Sequence, residues 1–226
     1  MRCFALVPCA GIGQRAGTEG PKQYALLAGR PLVAHTLAAL AAVPRLAATL
    51  VVLAPGDTQF ARLTEPHERL WVDDHGGATR AETVRAGLRA LRARDVRDDD
   101  WVLVHDAARC LLQPSWVDTL IDACGSDDVG GLLALPLADT LKQADTSNRV
   151  AATIDRSGKW VAQTPQMFRL ALLERALEAA DGTVTDEAGA VEQLGLAPRL
   201  VPGALENFKL TWPGDFALAA RLLETR

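Results

Sequence analysis

The sequence offers almost nothing from which a metal centre or a covalent nucleophile would be assembled. Its four histidines (35, 67, 75 and 105) fall into no metal-ligand spacing, and no Ser-His-Asp set or paired general acid and base stands out. The four cysteines (3, 9, 110 and 124) make no C-x-x-C pair, which points to reduced cytoplasmic thiols buried as small filler rather than staples or ligands. No apolar run approaches a membrane span, and the one after Arg2 is too short for a signal segment and reads as a first strand. A formal charge of −4 argues against a general nucleic-acid binder, whose surface would be basic. Repeats, low-complexity tracts and Ser/Gly linkers are missing as well.

What remains is an enzyme-like globular chain. At 226 residues, with 49% hydrophobic and 23% charged residues, it has enough apolar content for one large α/β domain or two small ones. Strands are expected at Cys3–Val7, Ala48–Leu53, Leu70–Val72, Trp101–His105, Gly130–Leu135 and Arg199–Val201. Helical spacing marks Pro31–Ala42, Thr83–Leu91, Pro114–Ala123, Leu170–Ala180, Asp186–Leu194 and Pro213–Leu223. Such alternation predicts a mostly parallel sheet with helices on both faces, whose ligand lies beyond the strands' carboxyl ends. Residues directly after Val7, Val72 and His105 are therefore expected to face it. One stretch, Ala138 to Pro165, breaks the pattern. Asp155-Arg156-Ser157-Gly158 reads as a turn between paired strands at Ala151–Ile154 and Lys159–Ala162, with too few apolar residues for a core of its own.

The segment from Ala5 to Lys22 says most about chemistry. A short apolar run ends in a loop with glycines at 11, 13, 17 and 20, with Arg15 inside it and Lys22 closing it after Pro21. Glycines let backbone N–H groups turn toward an anion, and two cations on the same loop add fixed positive charge. It is not a Walker A loop, because no glycine pair has the spacing before Lys-Ser or Lys-Thr. Gly11-x-Gly13-x-x-Ala16 does fit the dinucleotide fingerprint, but Gly17, Gly20 and Pro21 forbid the helix that should follow at once. A phosphate cradle after the first strand is the reading that uses all of these residues. A glycine-rich connection without a ligand is the bland alternative.

A-G-x-G-x-R followed by P-K-Q-Y resembles the signature loop of sugar-phosphate nucleotidyltransferases. More narrowly, it is similar to the 2-C-methyl-D-erythritol 4-phosphate cytidylyltransferase family. Further matches follow in order along nearly the whole chain: Gly76-Gly77 with Thr83, V-H-D-A-A-R from Val104 to Arg109, Asp139-Thr140, Asp155-Arg156, Thr164-Pro165-Gln166, Thr185-Asp186-Glu187 and Asn207 to Thr211. The resemblance implies a Rossmann-like α/β nucleotidyltransferase fold in one domain over 1–226. It also implies an inserted arm at about 138–165 that embraces the same arm of a second subunit. The reaction it implies joins CMP from CTP to methylerythritol phosphate and releases pyrophosphate, in the cytoplasm and in non-mevalonate isoprenoid synthesis. The cyclase domain that some relatives carry fused to this one is expected to be absent, the sequence running out at Arg226.

In that reaction the attacking group is a phosphate, anionic at neutral pH, so catalysis is positioning and charge neutralisation. Arg15 and Lys22 are assigned to the α-phosphate and its transition state, and Ala10, Gly11, Ile12 and Gly13 to the triphosphate. By the resemblance, Gly76, Gly77 and Thr83 select cytosine and Ala107 lies beside the ribose. Asp106 contacts the acceptor's hydroxyls, and Thr140, Arg156, Thr164 and Lys209 hold the acceptor, with Arg156 reaching in from the other subunit. Mg²⁺ is expected mainly on the triphosphate and water, with Asp106 a candidate protein oxygen. Arg109 is read as bracing the Asp106 loop, and Asp186-Glu187 as acids complementing a helix N-terminus. The chain departs from the family at Ala78, Cys110 and Ala138, where acidic, proline and arginine residues are usual. Two other readings stay open at this point, a ribitol 5-phosphate cytidylyltransferase and a silent nucleotide-binding regulator.

Overall fold

A computed structural model of the chain describes residues 1–11, 13, 17, 20–65 and 67–225. Strands are β1 (Cys3–Cys9), β2 (Leu26–Leu27), β3 (Arg30–Pro31), β4 (Leu46–Leu53), β5 (Leu70–Asp73), β6 (Trp101–Val104), β7 (Gly130–Pro136), β8 (Leu141–Ala144), β9 (Val150–Ile154), β10 (Trp160–Arg169) and β11 (Arg199–Pro202). Helices are α1 (Leu32–Ala41), α2 (Phe60–Leu63), α3 (Arg80–Arg92), α4 (Pro114–Cys124), α5 (Leu170–Ala179), α6 (Glu187–Gln193) and α7 (Pro213–Glu224). Each strand and helix expected from periodicity forms close to its expected bounds, except for the pairing in the 138–165 segment.

Seven strands make one sheet in the order β11-β7-β10-β6-β1-β4-β5. Its pairs are parallel except where β10 runs antiparallel to both β6 and β7. β1 shows why both faces are covered. Ala5, Val7 and Cys9 point into a core with Val33 and Leu40 of α1 and Leu120 of α4, while Phe4 and Leu6 point into another with Val84 and Leu88 of α3 and Leu173 of α5. Period-two alternation between two apolar layers is what a sheet buried on both sides requires. α3 lies especially close, because a Cβ on Gly87 would stand 2.4 Å from Leu6 Cδ1 and 2.8 Å from Val52 Cγ2.

The expected hairpin is built differently. Ala151–Ile154 does not pair with Lys159–Ala162. β9 pairs with β8, while Trp160, Val161 and Ala162 pair with Pro136, Leu135 and Ala134 of β7. The reason is burial: β10 is long enough to enter the main sheet and bury Met167 and Phe168 completely, which a hairpin partner on the surface cannot match. The turn itself is as read, with Lys159 N–H donating to Arg156 O at 3.0 Å and Gly158 at φ +69°. The β8–β9 ribbon is almost wholly exposed and has no core of its own.

Candidate active site

A cavity of about 230 Å³ opens where β1 and β6 end, as the topology of such sheets dictates, and the chain after β5 enters its wall only from Gly77 onward rather than directly after Val72. Ala10, Gly11, Gly13, Lys22, Gly77, Thr83, Asp106, Ala107 and Lys209 line it, which gathers nine of the expected residues from four separate stretches of chain. Ile12 and Arg15 lie outside the described residues. A larger hollow of about 380 Å³ between α1, β4 and the β4–β5 connection is walled by Leu37, Leu40, Leu46 and Leu70 and contains none of the expected residues.

On the side of the glycine loop, packing explains the glycines. Gly13 has φ +65°, and a Cβ there would sit 2.5 Å from Lys22 Cβ. Gly76 lies beneath the cavity rather than in its wall: its N–H donates to Leu53 O at 2.8 Å, and a Cβ would meet Ala10 Cβ and Leu53 O, each at 2.5 Å. Lys22 opens a short 3₁₀ turn and donates from Nζ to Leu210 O. Gln23 Nε2 donates to Cys9 O at 2.9 Å and Tyr24 Oη to Asp57 at 2.6 Å, so the P-K-Q-Y run is tied to the end of β1 and to the loop after β4. Thr83 is buried, its hydroxyl 2.9 Å from Thr79 O and 3.3 Å from Gly77 O. α3 starts as early as Arg80 because Thr79 and Glu82 form a capping box.

On the other side stands a charge cluster. Asp106 Oδ1 accepts from Arg80 Nε at 2.9 Å, and Oδ2 faces Lys209 Nζ at 2.9 Å and Arg109 Nε at 3.8 Å. Arg80 also grips Glu187 with both terminal nitrogens, at 2.6 and 3.0 Å. Burial works to raise the Asp106 pKa, but Arg80 and then Lys209 overcome it and hold the carboxyl well below the usual range. Its loop is braced as expected: Arg109 donates to Asn207 O at 2.7 Å, and Asn207 Nδ2 donates to Thr164 O at 2.8 Å. Thr164 is buried, accepting from Asp106 N–H at 3.1 Å and lying 3.0 Å from His105 Nδ1. Thr140 and Arg156 sit on the exposed arm away from the cavity, the Arg156 guanidinium donating to Ala138 O.

Two residues central to this cluster escaped the sequence reading. Arg80 was one of several arginines on a helix. Glu187 lies in the first turn of α6, as an acid complementing a helix N-terminus should, but its side chain is only 1% exposed and also serves as the buried anchor of Arg80, which the sequence pattern does not reveal. Asp186 does cap α6 as expected, accepting from Gly189 N–H at 3.0 Å. A run of three polar residues before a helix does not announce which of them points inward.

Lys22, Arg80, Arg109 and Lys209 against Asp106 and Glu187 leave the site net positive, which suits a polyanion. No group of three or more His, Cys, Asp or Glu side chains among the described residues could hold a metal ion. Residues 3–225 match the family model described as 2-C-methyl-D-erythritol 4-phosphate cytidylyltransferase. The chain belongs to that family. It is 58% identical over 224 residues to the 2-C-methyl-D-erythritol 4-phosphate cytidylyltransferase of Laribacter hongkongensis, covering 98% of this chain and 96% of the relative. It is 60% identical over 225 residues, all of this chain, to the bifunctional enzyme IspD/IspF of Albidiferax ferrireducens, of whose length it spans 54%. The crystal structure of a 4-diphosphocytidyl-2C-methyl-D-erythritol synthase superposes with a TM-score of 0.89 at 40% identity, covering 98% of both chains. The cytidylyltransferase fold is thus shared across the sheet and the arm. Among the described residues no helix is long and apolar enough to cross a membrane.

Proposed function

We propose that this chain transfers CMP from CTP to 2-C-methyl-D-erythritol 4-phosphate, releasing pyrophosphate. The observation that carries the reading is the family match across residues 3–225, joined to a cavity whose cations stand on both sides of one carboxylate. An oxygen of the acceptor phosphate bonds to the α-phosphorus, the bond to the bridging β-oxygen breaks, and its electron pair leaves with pyrophosphate. No proton need move, so the step requires no general base. His105 beneath Asp106 is no candidate, since burial lowers its pKa to about 4 and its ring is enclosed.

Lys22 and Arg15 neutralise charge developing at the α-phosphate, and the backbone at Ala10, Gly11, Ile12 and Gly13 cradles the departing phosphates. Gly77, Thr83 and Ala107 border the nucleoside, with Gly76 letting the chain pass close beneath. Asp106 meets the acceptor's hydroxyls and Lys209 its phosphate. Thr140, Thr164 and Arg156 complete the acceptor site, Arg156 from the arm of a second subunit, and Thr164 also braces Asp106 through the latter's N–H. The exposed apolar side chains Val150, Val161 and Trp160 on and beside the arm support a homodimer through it. A single carboxylate in the cavity fits Mg²⁺ carried mainly by triphosphate oxygens and water, with Asp106 its one protein candidate. When bound, the ion would supply further charge neutralisation. Four buried cysteines, all free, agree with a cytoplasmic setting.

A pyrophosphate-release assay crossing CTP, UTP and ATP with methylerythritol phosphate and ribitol 5-phosphate tests this. CTP is expected to exceed UTP by about two orders of magnitude in kcat/KM, because a mismatched base edge leaves buried donors and acceptors unpaired. Comparable use of both acceptors, or preference for ribitol 5-phosphate, would overturn the acceptor.

A further inference from the structure

Asp106 is the one carboxylate among the described residues lining the cavity, and its two oxygens are divided between unlike partners. Arg80, on Oδ1, cannot leave, because its other nitrogens are clamped on Glu187, whose side chain is 1% exposed. Lys209, on Oδ2, has a 37% exposed side chain and no such second anchor among the described residues. One cation is fixed and the other is exchangeable.

We propose that Arg80 is a positioning residue that keeps Asp106 satisfied so that Lys209 can be released to an incoming anion. A buried carboxylate needs a partner close by. With Arg80 in place, Asp106 retains a charge-assisted hydrogen bond when Lys209 turns away. Without Arg80, the nearest cation other than Lys209 is Arg109 at 3.8 Å, so Lys209 is held where it is. That the released Lys209 meets the acceptor phosphate rests on the function proposed above; the exchange at Asp106 does not.

The test uses the full chain without any substrate. Lysines are acetylated with a limiting amine-reactive reagent, and labelling of Lys209 is read by mass spectrometry against the exposed Lys159. Arg80→Met is expected to slow Lys209 labelling by about threefold to tenfold, since the lysine is retained on Asp106, while Arg80→Lys stays near wild type. Unchanged or faster labelling in Arg80→Met would overturn the proposal, faster labelling being what loss of a mere strut between helices produces. Arg80→Gln, which keeps polarity at the position, gives the same reading if the Met variant fails to fold. Kinetics add a second readout: KM for the acceptor should rise about tenfold while the CTP Kd changes less than about threefold. An inactive wild-type protein would defeat the proposed reaction alone, and the labelling would still decide the role of Arg80.

Discussion

The Thr164 hydroxyl lies 3.0 Å from His105 Nδ1 and accepts the N–H of Asp106 at 3.1 Å. With its oxygen already accepting, Thr164 donates its proton to Nδ1, and the opposite ring nitrogen donates to Arg109 O at 3.2 Å. The imidazole beneath the charge cluster is thereby held neutral. Its pKa is lowered to about 4 from 6.5, chiefly by burial.

A pH dependence follows. Between pH 6.5 and about 4 the unfolded chain binds a proton at His105 that the folded chain refuses, so stability falls as pH drops through that window. The slope is about 1.4 kcal/mol per pH unit at most for one proton. Thermal melts from pH 7 to pH 4.5 should show His105→Gln losing less stability on acidification than wild type. Parallel losses would mean His105 is not the group responsible.

Lys22→Ala or Arg15→Ala should lower kcat by about two to three orders of magnitude, with a much smaller change in CTP affinity, because the role proposed for these charges is at the transition state. Single-turnover rates and CTP titration separate the two quantities. Near wild-type turnover in either variant would remove the role assigned to that residue.

Gly76→Ala should destabilise the fold by about 1–3 kcal/mol, since a Cβ 2.5 Å from both Ala10 Cβ and Leu53 O forces backbone to move beneath the cavity. Denaturant midpoints check the stability, and CTP titration checks the site. A wild-type midpoint would show that the packing beneath the cavity is loose.

Much of this was readable in the sequence, and the gaps have physical causes. β1, β4 and β6 declared themselves as short apolar runs buried on both faces, and the loop after β1 through its glycines and Lys22. Pairing in the arm was misjudged because a turn at Asp155–Gly158 says where the chain reverses, not which neighbours its flanks choose; β10 had a larger sheet to join. Glu187 and Arg80 were hidden for a different reason. An ion pair between residues far apart in sequence has no local signature, and each alone looks like a helix surface charge.

Arg156 on the exposed arm and Lys22 in the cavity belong to different halves of the expected composite site. Mixing inactive Arg156→Ala with inactive Lys22→Ala chains, after joint unfolding and refolding, should restore activity through mixed dimers holding one intact site. Heterodimers shown by mass but lacking activity would refute sharing of the site.

The most direct measurement concerns which bond forms. With CTP and methylerythritol phosphate bearing ¹⁸O on its phosphate, ³¹P spectra of the product should show two mutually coupled diphosphate signals, with all label in the product and none in the pyrophosphate. Label in the pyrophosphate, or conversion of CTP to CMP without a diphosphate product, would contradict attack by the acceptor phosphate on the α-phosphorus.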